Sequence, residues 1–513
     1  MVKDFIGRIP TRKTGSIRTY KLRNYSSVTY VLIDMPIRIK FLGGVRNVSG
    51  SSHLVLRDKT QVLLDAGLFQ GHRDEAYRLN TVFNYNPRKV SALVLSHAHI
   101  DHSGNIPNLI KRGLRCKIYA TSATKDLVKL MLEDSGKIQE EDIRYLNKIN
   151  RRLGLPTRAP LYTKKDAAYA IKRFRSVSYE QKFPLAKDVF LTLYDAGHIL
   201  GSSLPVLEIK DNTQNIRLGY AVDLGRKNLP LLNDPVVPKN LDYLIIESTY
   251  GGRLHAPIEE AKGKLKDVIL RTFARKGKVL IPSFALERTQ EVLYFLNELF
   301  KEKAIPVIPI YVDSPLASNI TDVFNHHLAF LDEETRRAIK VKNSPFSRQL
   351  FDTGRDPAIA GEFLQLKYIR SQQESKRLND DRRPMIIIAG SGMCESGRIL
   401  HHLKNNIEDS RNTILVVGYM AENTLGKKIV EKNRIVRIFG VEYELNSEVV
   451  VINSFSGHAD KNELLEFIQA SLPLKRVFLV HGDLDQSQAL CTALTEKGIN
   501  AYVPQKNEEV VLD

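Results

Sequence analysis

Three histidines and an aspartate fall within six residues, His97-Ala98-His99-Ile100-Asp101-His102, directly behind the apolar run ALVL at 92–95. Charged imidazoles this close repel one another, and idle ones waste polar capacity, so a shared task must hold them together. In extended chain alternate residues share a side, so His97, His99 and Asp101 project together and His102 turns in after them. Imidazole and carboxylate are ligands for zinc and similar ions. None of the three cysteines, Cys116, Cys394 and Cys491, lies in the motif. That excludes a closed thiolate site and leaves a nitrogen and oxygen site with open positions.

Four more apolar runs end in the same kind of residue. Asp65 closes QVLLD, His198 follows TLYDAG, Asp223 closes GYAVD and His481 follows VFLV. One such residue alone would be an ordinary hydrogen-bonded side chain. Together they imply one site. His97, His99, Asp101, His102, His198, Asp223 and His481 are about the number of ligands that two ions need, with one carboxylate bridging.

The 513 residues leave room for two large domains. Residues 1–36 form a basic arm with seven Lys or Arg and two acids. Short strands with Gly-rich turns follow. After Gly251 helices at 257–273 and 288–300 alternate with apolar strands, which implies parallel βαβ units. From 449 the chain returns to strand, loop and helix. No apolar run is long enough to span a bilayer, and the N-terminus lacks the apolar segment of a secretory signal. Sparse cysteine fits a reducing compartment, so a cytoplasmic location is expected. The net charge of +18 favours polyanionic partners. Half of it falls in 144–175, with ten Lys or Arg and one acid, Asp166. That stretch is either a solvated face or a nucleic-acid surface near the mouth of the site.

The motifs LLDAG, HAHIDH, AGHILGS and VDLGR resemble the signatures of the metallo-β-lactamase superfamily. ESTYG, IPSFALERTQ, DSPLA, AGSGMCESGR, GYMAENTLG, FSGHAD and VHGD resemble those of the β-CASP nucleases within it, in family order over about 38–513. The resemblance implies an α/β fold: an αββα metallo-β-lactamase sandwich from 37–250 and 449–513, with a β-CASP domain of parallel βαβ type inserted at 251–448. It implies two zinc ions, one held by His97, His99 and His198, the other by Asp101, His102 and His481, with Asp223 between them. Such ligands accept manganese as well. Asp65 would orient a ligand. His458 matches the histidine that protonates the leaving group, Glu247 matches the acidic residue that tunes it, and Asp101 counts with them as catalytic. RNA-acting members resemble this chain in having histidine at 481, where the DNA-repair branch typically has valine.

The activity so implied is metal-dependent hydrolysis of single-stranded RNA, mainly endonucleolytic with some 5′ exonuclease action, leaving 5′-phosphate and 3′-hydroxyl ends. A small-molecule hydrolase of lactamase or thioesterase type, or a non-catalytic RNA-binding subunit, are the alternatives. A homodimer is compatible with the reading. No membrane and no small-molecule cofactor are expected. AGSGMCESGR offers Ser391, Gly392 and Arg398 to a phosphate, with Arg288 a weaker candidate, or is a plain tight turn. His401 and His402 read as helix-surface residues, and His53, His255, His326 and His327 as structural. Val222, Met420, Asn423 and Lys427 depart from the family pattern without removing a ligand.

Overall fold

A computed structural model describes residues 19–24, 27–32, 36–71, 73–210, 214–340, 366–421 and 423–513. Residues 1–18 of the basic arm lie outside the described residues. Its later part pairs Thr19–Asn24 with Ser27–Leu32 as an antiparallel hairpin.

Two seven-stranded sheets form the first domain. One runs in the order Glu509–Leu512, Ile37–Gly43, Ser52–Arg57, Thr60–Leu64, Ala92–Val94, Ile118–Ala120, Phe174–Ser176. The other runs Ala501–Tyr502, Arg476–Val480, Tyr243–Glu247, Asn215–Ala221, Ser203–Lys210, Val189–Asp195, Phe183–Ala186. Each is parallel in one half and antiparallel in the other. The two-residue side-chain period explains how they stack. Val62, Leu64, Ile245, Phe478 and Val480 face a core between the sheets. Their neighbours face outward: Leu63 under the helix residues Leu127 and Leu132, and Leu244 and Leu479 under Phe467 and Leu490. Strands covered on both faces must be apolar where they are covered, and 62–64, 244–246 and 477–480 are. The result is the expected αββα sandwich.

The inserted domain carries one six-stranded sheet, ordered Leu366–Tyr368, Ile310–Asp313, Ile386–Ala389, Val279–Pro282, Thr413–Val416, Glu448–Val451. Every pairing in it is parallel. Helices Ile258–Ala274 and Arg288–Lys301 pack on one face and Arg398–Asn406 on the other. One expected boundary moves. The strand Glu448–Val451 completes this sheet against Thr413–Val416, so the return to the first domain comes after Val451 rather than at 449. Hydrophobic pattern cannot show which sheet a buried strand joins, because both offer the same apolar edge.

Candidate active site

The sheet ends place the polar residues. His97, His99 and Asp101 lie on the loop and the short helix Ile100–Ser103 that follow Ala92–Val94. His198 follows Val189–Asp195, Asp223 follows Asn215–Ala221 and His481 follows Arg476–Val480. Asp65, Asp223 and His481 each take a positive φ, at 58°, 55° and 46°. A side chain in that region costs about 1–2 kcal/mol. Strain stored at three converging strand ends marks a site that the surrounding fold holds in place.

Asp223 stands at the centre, about 1% exposed. Its Oδ2 lies 3.2 Å from His97 Nε2, 3.9 Å from His99 Nδ1 and 3.4 Å from His198 Nε2. Its Oδ1 lies 3.3 Å from His102 Nε2 and 2.9 Å from His481 Nδ1. Asp101 Oδ2 is 3.5 Å from His481 Nε2 and 3.9 Å from His102 Nε2. One carboxylate therefore presents one oxygen to each of two ligand sets. Potential ligand atoms of His97, His99, His198 and Asp223 lie within 4.8 Å of one another, and so do those of Asp101, His102 and His481.

The donor set fits cations. His102 gives Nδ1–H to Asp65 at 2.8 Å, and His198 gives Nδ1–H to the Gly457 carbonyl at 2.9 Å. That leaves each Nε2 a lone pair. The two lone pairs approach other imidazole nitrogens, His102 to His481 at 3.1 Å and His198 to His99 at 3.3 Å. Asp223 Oδ1 is buried without a hydrogen bond. Nitrogens and a carboxylate that converge this way are satisfied by a divalent ion. Burial opposes charge on His102 and His481, yet Asp223 and Asp101 hold both pKa values up, His481 at about 10. Burial pushes His97 down to about 4 and His198 well below its usual value.

Asp65 supports the cluster from behind. Besides His102 it accepts Ser96 N and Oγ, both at 2.7 Å, and the Tyr220 hydroxyl at 3.0 Å. Ser96 and Tyr220 were not legible as functional residues, and nothing in their spacing marks them. Asp65→Asn removes the charge that four donors share. Metal affinity is expected to fall about 10–100-fold, the usual effect of losing such a partner. Competition with a chromogenic chelator would check this.

Beside the cluster, His458 Nδ1 lies 3.1 and 3.2 Å from the two oxygens of Glu247. Glu247 ends the strand Tyr243–Glu247 fully buried, and its Oε1 also accepts Leu224 N at 2.5 Å. The next residue after His458, Ala459, donates its N–H to Leu224 O at 2.8 Å. The Asp223 loop and the His458 loop are thus tied together. Asp223, Glu247 and His458 also bring potential ligand atoms within 4.8 Å. Burial opposes charge on His458, but Glu247 and Asp223 raise its pKa. Nδ1 is committed to Glu247, so Nε2 is the nitrogen free for other work.

The other expected residues fall elsewhere. Ser391 Oγ accepts Glu395 N and Ser396 N at 3.1 and 3.3 Å, so the Gly-rich loop closes on itself. Gly392 lies against the Phe284 ring, where a Cβ would come within 2.7 Å. Arg398 pairs with Asp313 and donates to Ile369 O and Arg370 O at 3.0 and 2.8 Å. Arg288 pairs with Glu291 over the Phe455 ring. Both arginines are committed to carboxylates within the inserted domain.

His402 is corrected. It is fully buried, not a surface residue, with Nε2 2.7 Å from Asp313 Oδ2 and Nδ1 2.9 Å from Asn379 Oδ1. The helix Arg398–Asn406 turns it toward the sheet, while its neighbour His401 is exposed. Asp313 therefore draws on Arg398, His402 and Ser375 at once. Arg398→Ala strips a buried carboxylate of its cation and is expected to cost roughly 3 kcal/mol, read as a lower urea midpoint for the inserted domain. His53 is buried at the sandwich core with its pKa down to about 3 through burial. His255 packs on Tyr250 and contacts the His458 carbonyl at 3.2 Å.

Comparison with known proteins follows the same outline. Residues 54–236 match the metallo-β-lactamase superfamily domain, 289–429 the Beta-Casp domain and 442–504 a Zn-dependent metallo-hydrolase RNA specificity domain. Ribonuclease TTHA0252 of Thermus thermophilus is 36% identical over 92% of this chain and 100% of its own length. The chain belongs to the β-CASP family of the metallo-β-lactamase superfamily. A β-CASP protein of this kind is a metal-dependent hydrolase. Transcription termination factor FttA of Pyrococcus abyssi is 33% identical over 93% of this chain and 71% of its own length. A protein of unknown function from Enterococcus faecalis shares the fold, with a TM-score of 0.53, 13% identity, and coverage of 93% of this chain and 100% of that one. Among the described residues no helix is long and apolar enough to cross a membrane.

Proposed function

We propose that this β-CASP protein is a two-zinc ribonuclease that cuts single-stranded RNA internally, leaving 5′-phosphate and 3′-hydroxyl ends. The observation that carries the reading is the His458–Glu247 pair standing against Asp223, an acid beside a two-sided ligand cluster. A small-molecule hydrolase with a good leaving group needs no such acid. A binding subunit needs neither. RNA rather than DNA is supported by histidine at 481, by the RNA specificity domain at 442–504 and by the ribonuclease name of the Thermus relative.

His97, His99 and His198 would hold one ion and Asp101, His102 and His481 the other, with Asp223 shared. Bound there, the ions would neutralise the phosphate and supply a nucleophilic water at neutral pH. The protein's own residues do the rest. Asp65 and the Gly457 carbonyl fix which nitrogen His102 and His198 present. Glu247 holds His458 by Nδ1 and keeps it protonated, so Nε2–H can pass a proton to the departing 3′-oxygen. An alkoxide is a poor leaving group, and this proton is what makes it leave. Because water attacks, the 2′-hydroxyl takes no part.

The test is a 5′-labelled single-stranded RNA incubated with the zinc-loaded protein beside the matching DNA. Internal RNA products with 3′-hydroxyl ends are expected, and DNA is expected to survive. Intact RNA together with turnover of a lactam or thioester would replace the reading.

A further inference from the structure

We infer that the far end of the helix Ser122–Arg152, from 144 to the turn at 153–158, is a docking surface for the body of an RNA strand, away from the metal centre. It rests on the ribonuclease reading for its ligand, and its geometry is independent of it.

The helix starts at the site and leaves it. Thr121 and Thr124 both donate their hydroxyls to Gly201 O at 2.7 Å, three residues beyond His198. Thirty-one residues follow in one helix. At about 1.5 Å per residue that is about 46 Å. The basic stretch therefore divides: 144–152 stands at the far end of the helix, while 172–175 returns to the strand beside Ile118–Ala120, next to the helix's start.

That end is built, not loose. Asn147 holds both Arg158 N and Arg158 O at 2.8 Å, and Asn150 holds Pro156 O at 3.0 Å. Further back along the helix, Tyr162 donates to Ser135 at 2.7 Å. Gly136 lets the returning chain lie on the helix, since a Cβ there would meet the Thr163 and Lys164 backbone at 2.8–3.0 Å.

The surface so fixed is cationic and aromatic. Arg144, Lys148, Arg151 and Arg152 are exposed, and none makes an ion pair with a carboxylate among the described residues. The helix dipole accounts for Arg151 and Arg152 in the last turn. It does not account for Arg144 or Lys148, which precede that turn. A merely solvated face does not account for the apolar groups among them. Tyr145 is 67% exposed and Leu153 66%. Cations that follow a phosphate backbone, beside a ring on which a base stacks, match a single strand of nucleic acid. An acidic protein would use the charges but not the ring.

The triple variant Lys148→Gln/Arg151→Gln/Arg152→Gln and the single variant Tyr145→Ala test this in the full chain. Two RNAs serve, one of about 8 nucleotides, within the footprint of one groove, and one of about 40. For the triple variant, KM on the long RNA is expected to rise about tenfold, and the slope of log affinity against log salt to shrink by about 2. Its kcat, and both constants on the short RNA, should match the parent. Tyr145→Ala should weaken only the long RNA, with the salt slope unchanged. Equal losses on both lengths, or none, overturn the surface. Binding of the long RNA by fluorescence anisotropy separates this from the catalytic reading. A parent that binds RNA without cutting it, and a variant that binds it more weakly, would leave the surface standing and remove the ribonuclease. Variants that lose polyglutamate binding but keep RNA binding would point to an acidic protein and overturn the RNA assignment.

Discussion

Asp223→Ala protein, loaded with zinc and desalted, is expected to retain less metal than its parent and to lose RNA cleavage by at least about a thousandfold, the equivalent of several kcal/mol of lost charge stabilisation. The reason is geometric. Oδ2 serves His97, His99 and His198 while Oδ1 serves His102 and His481, so no other residue can replace it on both sides. A glycine variant separates this loss from misfolding. Asp223 sits at φ 55°, where glycine is at ease. Asp223→Gly should therefore relieve about 1–2 kcal/mol of backbone strain while still failing to hold metal. Metal content by emission spectroscopy, beside thermal unfolding, checks both. Full metal occupancy in Asp223→Ala would sink the shared-carboxylate arrangement.

His458→Ala is expected to keep its metal and lose about 10²–10⁴-fold in kcat on RNA, the range for removing a general acid. The choice of substrate makes the test specific. An RNA 3′-oxygen leaves as a strongly basic alkoxide and needs a proton, whereas a nitrophenolate does not. Hydrolysis of bis(p-nitrophenyl) phosphate by the same variant should fall by far less. Glu247→Gln should act in the same direction but more weakly, since His458 keeps a hydrogen-bond acceptor and loses only the charge that raises its pKa. Equal losses on RNA and on the nitrophenyl ester would show that His458 shapes the site rather than donating a proton.

Much of the chemistry was readable before any fold. Ligand types and their strand-end positions are local facts, because a strand's length and its polar terminus sit together in sequence. The change from short strands to alternating helix and strand was readable from the period of the apolar residues, and the resemblance of the motifs implied the two domain types. The Glu448–Val451 strand and His402 were not. The strand joins a sheet whose neighbour, Thr413–Val416, lies a full helix and hairpin away. His402 and His401 are adjacent and chemically identical, and only the helix's rotation against Asp313 buries one and exposes the other.

The sequence by itself determined which residues carry atoms able to bind metal, and its resemblance to the β-CASP nucleases singled out His458 as the expected proton donor. The ligand capacity follows from side-chain chemistry, which is carried by each residue alone. Tertiary structure alone decided that one carboxylate faces two ligand sets, that His102 meets His481 across 379 positions, and that one basic run is split between the far end of a helix and the strand at its start. These depend on strand pairing, backbone strain and helix length, which arise only when distant segments pack.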